Sequence, residues 1–308
     1  MHALDRALDL TVVPGYSRLG YSVRRRWWDE LPRMDGRVVL VSGATSGIGL
    51  AAATAFVGLG AEVHLLARDE GRGARARSEA GAERVWDCDV SSLRSVREFA
   101  GRFRESQPEL HALVNNAGVL PPERSLSVDG YELAFATNVL GPFLLTALLA
   151  PALEADPPSS IVNVSSGGMY TARLSVDDLQ TEHHSYDGAS VYARQKRAQV
   201  VLSELWAERL HSKGVLVHSM HPGWVDTPGL EHSLPRFYKL MKPALRSPDE
   251  GADTIVWLAA SNVPGGRFWH DREERPTHVL PRTRESEGER ARLWEECVRL
   301  AGLNEDEL

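Results

Sequence analysis

The apolar positions of the chain fall into short runs, separated by glycine-rich or charged loops and by longer segments of helical character. Val38 to Val41 is a β-branched run; a loop holding Gly43, Gly47 and Gly49 follows it, and an alanine-rich stretch, Ile48 to Leu59, then reads as a helix. Further runs lie at Val63 to Leu66, Leu110 to Val114, Ile161 to Val164 and Val215 to Val217. Ser91 or Ser92 stands where a cap belongs, ahead of a helix through Phe103, and Ser190 to Leu210 reads as a long helix. Strands alternating with helices predict the α/β class, with one doubly wound parallel sheet covered by helices on both faces.

No linker splits the chain. Residues 35–308 read as one domain and residues 1–34 as an N-terminal extension. In that extension Arg24, Arg25 and Arg26 stand beside Trp27 and Trp28, with Tyr16 and Tyr21 upstream. No sustained amphipathic period supports an interfacial helix, so a segment packed over the core edge is expected, with peripheral membrane contact as the alternative. Leu133 to Leu153 carries no charge and approaches the ~20 apolar residues that span a bilayer. Asn138, Gly141, Pro142 and Pro151 interrupt it, and a buried core helix is expected instead. Gly265, Gly266 and the charged run Asp271 to Arg275 read as a late surface loop. Leu293, Trp294, Cys297, Val298, Leu300 and Ala301 form one apolar stripe of a final helix.

Composition narrows the function. Lys plus Arg is 35 against 42 Asp plus Glu, a net charge of −7, which argues against a nucleic-acid binder that must neutralise phosphates. Two cysteines, Cys88 and Cys297, exclude a disulfide scaffold and fit a reducing compartment, so a cytoplasmic location is expected. Cys88 lies between Asp87 and Asp89, which would raise its thiol pKa and disfavour a nucleophile. The 11 histidines show no ligand spacing, and no metal is expected.

The glycine loop carries the first candidate chemistry. Ser42-Gly43-Ala44-Thr45-Ser46-Gly47-Ile48-Gly49 leaves a strand and opens a helix, so the chain turns tightly and free helix N–H groups meet a pyrophosphate. This is the Rossmann type of sheet, with Gly-x-x-x-Gly-x-Gly spacing and no closing Gly-Lys-Ser/Thr. At the end of the second strand Arg68 precedes Asp69; an Arg here pairs with the 2′-phosphate of NADP, whereas a carboxylate holds the ribose of NAD. Arg68 coming first favours NADP, with NAD as the alternative.

Tyr192 and Lys196 sit one helical turn apart on one face. A cationic Lys there favours the phenolate and would lower the Tyr192 pKa, which suits a general acid protonating a carbonyl as hydride arrives. Ser166, at a strand end, can donate a hydrogen bond to the same oxygen. Pro142 has no N–H to give the carbonyl of Asn138, which must find another partner; a relay water reaching Lys196 is one reading and a plain proline kink the other.

Taken in order, Gly43…Gly47-Ile48-Gly49, Asp89-Val90, Asn115-Asn116-Ala117-Gly118, Asn138, Ser166, Tyr192…Lys196 and Pro222-Gly223…Thr227 resemble the short-chain dehydrogenase/reductase family. Ser42 stands where that family usually has Thr. The resemblance implies a catalytic set of Asn138, Ser166, Tyr192 and Lys196. It implies a cofactor site of Gly43, Thr45, Ser46, Gly47, Ile48, Gly49 and Arg68; of Asp89 and Val90 at the adenine; and of Asn116, Ala117 and Gly118 on the adenosine side. Tyr192 would also belong to the cofactor site, Lys196 would bind the nicotinamide ribose and tune Tyr192, and Pro222, Gly223, Val225 and Thr227 would contact the nicotinamide end. The expected reaction is hydride transfer between NADP(H) and a carbonyl or alcohol, with a lipophilic ketone, aldehyde or alcohol as small-molecule substrate. A catalytically silent cofactor-binding sensor or membrane-associated scaffold is the alternative.

The long interval between Ser166 and Tyr192 resembles the retinol-dehydrogenase-like branch; Met169, Tyr170 and Leu174 within it are candidates for a lipophilic pocket wall, with a plain surface excursion as the equal alternative. Trp224 and the segment Arg236 to Lys242 are candidates for a lid or, equally, plain surface. The resemblance also implies a homodimer or homotetramer, built on the uncharged run Leu133 to Leu153 and the helix from Tyr192.

Overall fold

The computed structural model describes residues 12–304 and 307–308. Eight strands form one sheet in the order β3-β2-β1-β4-β5-β6-β7-β8. They are β1 (Val38–Ser42), β2 (Glu62–Ala67), β3 (Arg84–Asp87), β4 (Ala112–Asn115), β5 (Ser159–Val164), β6 (Val215–Met220), β7 (Arg267–His270) and β8 (Glu273–Arg275). Strands β1 to β7 are parallel to their neighbours, and β8 is antiparallel to β7.

Successive side chains of a strand point to opposite faces, and here each face has its own core. Val38 and Leu40 of β1, Leu113 of β4 and Ile161 of β5 bury into one. Val39 and Val41, Ala112 and Val114, and Val162 and Val164 bury into the other. The near-continuous apolar runs of the sequence reflect this two-sided burial. The first face is covered by α5 (Leu93–Ser106), α6 (Leu133–Leu153) and α7 (Gly188–Leu210). The second carries α3 (Gly47–Gly58), α4 (Glu70–Ala80) and α10 (Pro248–Ala260). Two short helices, α8 (Pro228–Ser233) and α9 (Pro235–Met241), lie between β6 and α10. Helix α6 is a buried core helix, not a free apolar rod: 94% of its most apolar window is inside the protein.

The described part of the N-terminal extension forms α1 (Val12–Tyr16) and α2 (Arg18–Arg24). It is pinned to the core by a buried ion pair between Arg24 and Asp271, 2.6 Å apart. Residues 1–11, which belong to the same expected extension, lie outside the described residues.

Three expectations need correction. The charged run Asp271 to Arg275 is not a surface loop. It makes the β7–β8 turn and β8, and Asp271 is only 1% exposed because Arg24 and Arg246 neutralise it. Met169 and Leu174 are both buried and form no open lipophilic wall: Leu174 lies in the first core beside a small cavity that it shares with Val191 and Ala198, and Met169 in a small cluster with Val200 and Phe268. The surface of α6 and α7 expected to face a second copy is covered by the chain's own α11 (Glu287–Ala301). Trp294 of that helix packs edge-on against Phe143 and Trp206, at 5.0 and 4.7 Å.

Candidate active site

In an open parallel sheet the crevice lies outside the carboxyl ends of the strands, where the strand order reverses. Here the chain runs outward in both directions from the adjacent pair β1 and β4. The expected site residues follow the carboxyl ends of successive strands: Gly43–Gly49 after β1, Arg68 after β2, Asp89 and Val90 after β3, Asn116–Gly118 after β4, Ser166 after β5 and Pro222–Thr227 after β6.

The glycine loop is held by its neighbours as much as by its own turn. Gly43 sits at φ +65°, and a Cβ there would lie 2.7 Å from the Cα of Ala117. A Cβ on Gly49 would lie 2.4 Å from the Gly43 carbonyl oxygen. Glycine is therefore required for the loop to close on the β4 turn. The Asn116 side chain binds across this contact, donating to the carbonyls of Ser42 and Gly43 at 3.0 and 3.1 Å. Ser42 does the same from below: its hydroxyl accepts the N–H groups of Asn116 and Ala117, each at 3.1 Å, and donates to Val114 O. One hydroxyl suffices for these bonds, so Ser serves where Thr is usual. Helix α3 then opens at Ser46, whose side chain makes no capping bond. Thr45, Gly47 and Ile48 are half-buried there. Its first N–H groups thus have no side-chain cap of their own, the arrangement that receives a phosphate.

At the end of β2, Arg68 and Asp69 are both exposed. Asp69 is the N-cap of α4, with Oδ1 accepting Arg72 N at 2.7 Å. Asp89, half-buried, accepts the N–H and hydroxyl of Ser91 at 2.9 and 2.7 Å. Val90 is buried, and its carbonyl lies so close to α6 that a Cβ on Gly141 would come within 1.9 Å of it. After β6, Gly223 sits at φ +80°, Val225 is buried and bridges to Arg246, and Thr227 caps α8 by accepting Leu230 N at 3.2 Å.

The four expected catalytic residues converge. The Tyr192 hydroxyl lies beside that of Ser166, which favours its phenolate. The Ser166 hydroxyl also accepts Gly168 N at 3.2 Å, which fixes its rotamer. The Lys196 ammonium lies 5.5 Å from the centre of the Tyr192 ring and donates to Val164 O at 2.7 Å and to Gln199 Oε1 at 3.1 Å. A Cβ on Gly118 would sit 3.3 Å from Asn138 Oδ1 and 3.6 Å from Lys196 Nζ, so the β4 turn lies against both. Asn138 grips that turn with its side chain: Oδ1 accepts Val119 N at 2.8 Å and Nδ2 donates to Val119 O at 2.9 Å. Around it α6 widens into a π-turn over Ala136–Leu140, directly before Pro142, which cannot supply an N–H.

The electrostatics differ from the sequence expectation. Burial pushes the Tyr192 phenol up to about 12, and the neighbouring Ser166 hydroxyl only partly offsets it. Lys196 does not lower it as anticipated, because its ammonium is turned to Val164 O and Gln199 and is itself held down at about 7 by burial. Burial, more than the flanking carboxylates, raises the Cys88 thiol to about 12, which leaves it no nucleophile at neutrality.

A second layer went unread in the sequence. Asn138 Nδ2 also donates to Gln195 Oε1 at 2.8 Å, and Gln195 Nε2 donates to Glu132 Oε2 at 2.9 Å. Glu132 is fully buried and caps the start of α6, accepting Ala134 N, Phe135 N and the Tyr186 hydroxyl. Only its position directly before the apolar run hinted at a cap. On the other side of β4, Asn115 donates to Asn163 at 2.9 Å and Asn163 to Ser203 at 2.9 Å, tying the sheet to α7.

A nicotinamide dinucleotide fits these residues: a glycine cradle that any Cβ would fill, an uncapped helix start, and a Tyr–Ser hydroxyl pair beside a buried Lys. Comparison with known proteins agrees. The short chain dehydrogenase family model matches residues 37–236. Dehydrogenase/reductase SDR family member 12 of Bos taurus is 41% identical over 300 residues, covering 93% of this chain and 94% of that protein. Retinol dehydrogenase 12 of Homo sapiens is 34% identical over 282 residues, covering 88% of each. Among solved structures, the NADP active-site complex of Pseudomonas aeruginosa RhlG superposes with a TM-score of 0.63 at 25% identity, over 77% of this chain and 94% of that one. The chain belongs to the short-chain dehydrogenase/reductase family and is an NAD(P)-dependent oxidoreductase.

Proposed function

We propose that the protein transfers a hydride between NADP(H) and a lipophilic carbonyl or alcohol in the cytoplasm, with Tyr192 as the acid/base. The observation that carries this reading is the Tyr192–Ser166 hydroxyl pair, with Lys196 one turn along α7. When bound, the nicotinamide supplies the hydride in reduction and accepts it in oxidation. In reduction the Tyr192 hydroxyl gives its proton to the substrate oxygen as charge develops there, and Ser166 donates a hydrogen bond to the same atom. A phenol held at about 12 stays protonated at neutral pH, the form that reduction requires. Asn138 holds the β4 turn in place, and the start of α3, Asp89, Val90, Asn116–Gly118, Lys196 and Pro222–Thr227 would hold the dinucleotide.

Two features support the finer choices. Asp69 Oδ1 caps α4, and Arg68 stands exposed beside it at the β2 end, suited to a 2′-phosphate. Trp224 meets Phe237 of α9 and Tyr16 edge-on, at 5.1 and 5.9 Å, an aromatic surface next to the Pro222–Thr227 loop that suits an apolar substrate. No feature favours a silent sensor.

Titration of the purified protein with NADPH and with NADH, followed by nicotinamide fluorescence, tests the cofactor choice. NADPH should bind at least tenfold more tightly, and Arg68→Glu should abolish that preference while leaving NADH affinity within a few-fold. Tighter binding of NADH by the wild type would overturn the assignment. A panel of aldehydes of increasing chain length should show kcat/KM rising with length if the substrate is lipophilic; a flat or falling series would contradict it.

A further inference from the structure

The N-terminal segment is more deeply tied to the protein than a surface appendage would be. Asp271 accepts Arg24 Nη1 at 2.6 Å and both terminal nitrogens of Arg246, at 2.6 and 2.8 Å. All three side chains are almost wholly buried. The Gly15 carbonyl accepts from Arg24 and Arg246 at 3.0 and 3.1 Å, and Arg246 donates to Ser17 O and Pro222 O as well. Removing three charges from water is costly unless they are fully paired, and a dispensable segment would have no reason to carry one of them. Asp271 and Arg272 also hold left-handed backbone, φ +53° and +57°, which non-glycine residues adopt only when surroundings compel it.

What this lock positions is Tyr16. A Cβ on Gly167, the residue after Ser166, would lie 2.6 Å from Tyr16 Cε2, so the ring rests directly on the catalytic-serine loop. The Tyr16 carbonyl accepts Trp224 N at 2.9 Å, and its ring meets His221 and Trp224 edge-on, at 4.4 and 5.9 Å. Gly223 is crowded from the same side, since a Cβ there would lie 2.7 Å from Tyr16 O. The segment thus touches both loops between which the reacting carbon must sit.

We propose that Tyr16, locked in place by the Arg24–Asp271–Arg246 triad, forms one wall of the substrate site between the Ser166–Gly167 and Pro222–Trp224 loops and is a specificity-determining residue. This rests on the reductase reading above for the identity of the reacting loops. The wall is aromatic and adjoins Trp224, so it discriminates between substrates by the apolar bulk that follows the carbonyl.

Full-length wild type, Tyr16→Ala, Tyr16→Phe, Arg24→Met and the exposed control Leu19→Ala would be compared. The probes are propanal and decanal reduction by NADPH, NADPH binding by fluorescence, and hydrogen exchange read by mass spectrometry. Tyr16→Ala should change the decanal-to-propanal ratio of kcat/KM by fivefold or more with NADPH affinity within twofold, and Tyr16→Phe should retain the wild-type ratio. Arg24→Met should speed exchange at least tenfold in residues 12–24 and at the Trp224 amide. A ratio within twofold of wild type in Tyr16→Ala, or the same change in Leu19→Ala, would overturn the proposal. If the wild type binds NADPH but reduces neither aldehyde, the reductase reading fails for these substrates and exchange alone decides. Faster exchange across residues 166–171 and at Trp224 in Tyr16→Ala then supports the wall, and unchanged exchange there refutes it.

Discussion

Lys196 shows what the site demands of a single side chain. Its neighbours are the Val164 carbonyl and Gln199, and burial brings its pKa from 10.5 to about 7. A depressed pKa contributes stability that is present above pH 10.5 and lost as pH falls toward 7. Lys196→Met should therefore gain stability over the wild type as pH falls through that window, by a few kcal/mol at about 1.4 kcal/mol per pH unit, with no further gain below pH 7. Thermal melts at pH 6.5 and 9.5 read this directly; a difference between variant and wild type that is the same at both pH values would contradict it. Tyr192 does not confuse the comparison, because its raised pKa makes stability fall only between about pH 10 and 12. Activity would be lost in the same variant, as expected where a site trades stability for chemistry. Both residues were legible in the sequence from their spacing. Their pKa directions were not, because desolvation depends on what surrounds each group in three dimensions.

At the scale of the element, α6 carries the strongest constraint. It must widen at Asn138, pass Pro142, and approach the β3 loop closely enough for Val90 O to meet Gly141. Gly141→Ala should destabilise the fold by about 1–3 kcal/mol through overpacking against backbone that cannot move freely, and should weaken NADPH binding through Val90. Urea melts and the fluorescence titration check both; a variant within 0.5 kcal/mol of wild type would show that the contact relaxes cheaply. The sequence revealed the five central strands because two-sided burial makes each an apolar run. It concealed β3, where only Val85 and Trp86 are apolar between Arg84 and Asp87, and β7–β8, whose turn and outer strand are charged. Those charges pair with residues distant in the chain: Asp271 with Arg24, and Arg272 with Asp253 at 2.7 Å. Glu132 and Gln195 were hidden for the same reason, since only folding brings them to Asn138.

For the whole molecule, the two terminal segments complete what the central sheet leaves open. The N-terminal helices close over the loops after β5 and β6, and α11 closes over α6 and α7. Trp294 anchors the latter, with Arg209 stacked 3.6 Å from its ring. Trp294→Ala should cost about 3–5 kcal/mol. It should also expose the apolar face of α6 and α7, so that self-association appears in sedimentation velocity where the wild type shows none through that surface. Wild-type protein that already dimerises, with its dimer unaffected by this variant, would show that association uses another face.

The proposed reaction turns on the proton that Tyr192 moves. The most direct measurement is single-turnover reduction of a long-chain aldehyde by Tyr192→Phe with saturating NADPH, beside a fluorescence titration of NADPH on the same protein. The rate should fall by about 10²–10⁴, the worth of a positioned acid, with NADPH affinity within a few-fold of wild type. Turnover within a few-fold of wild type, with the cofactor still bound, would contradict it.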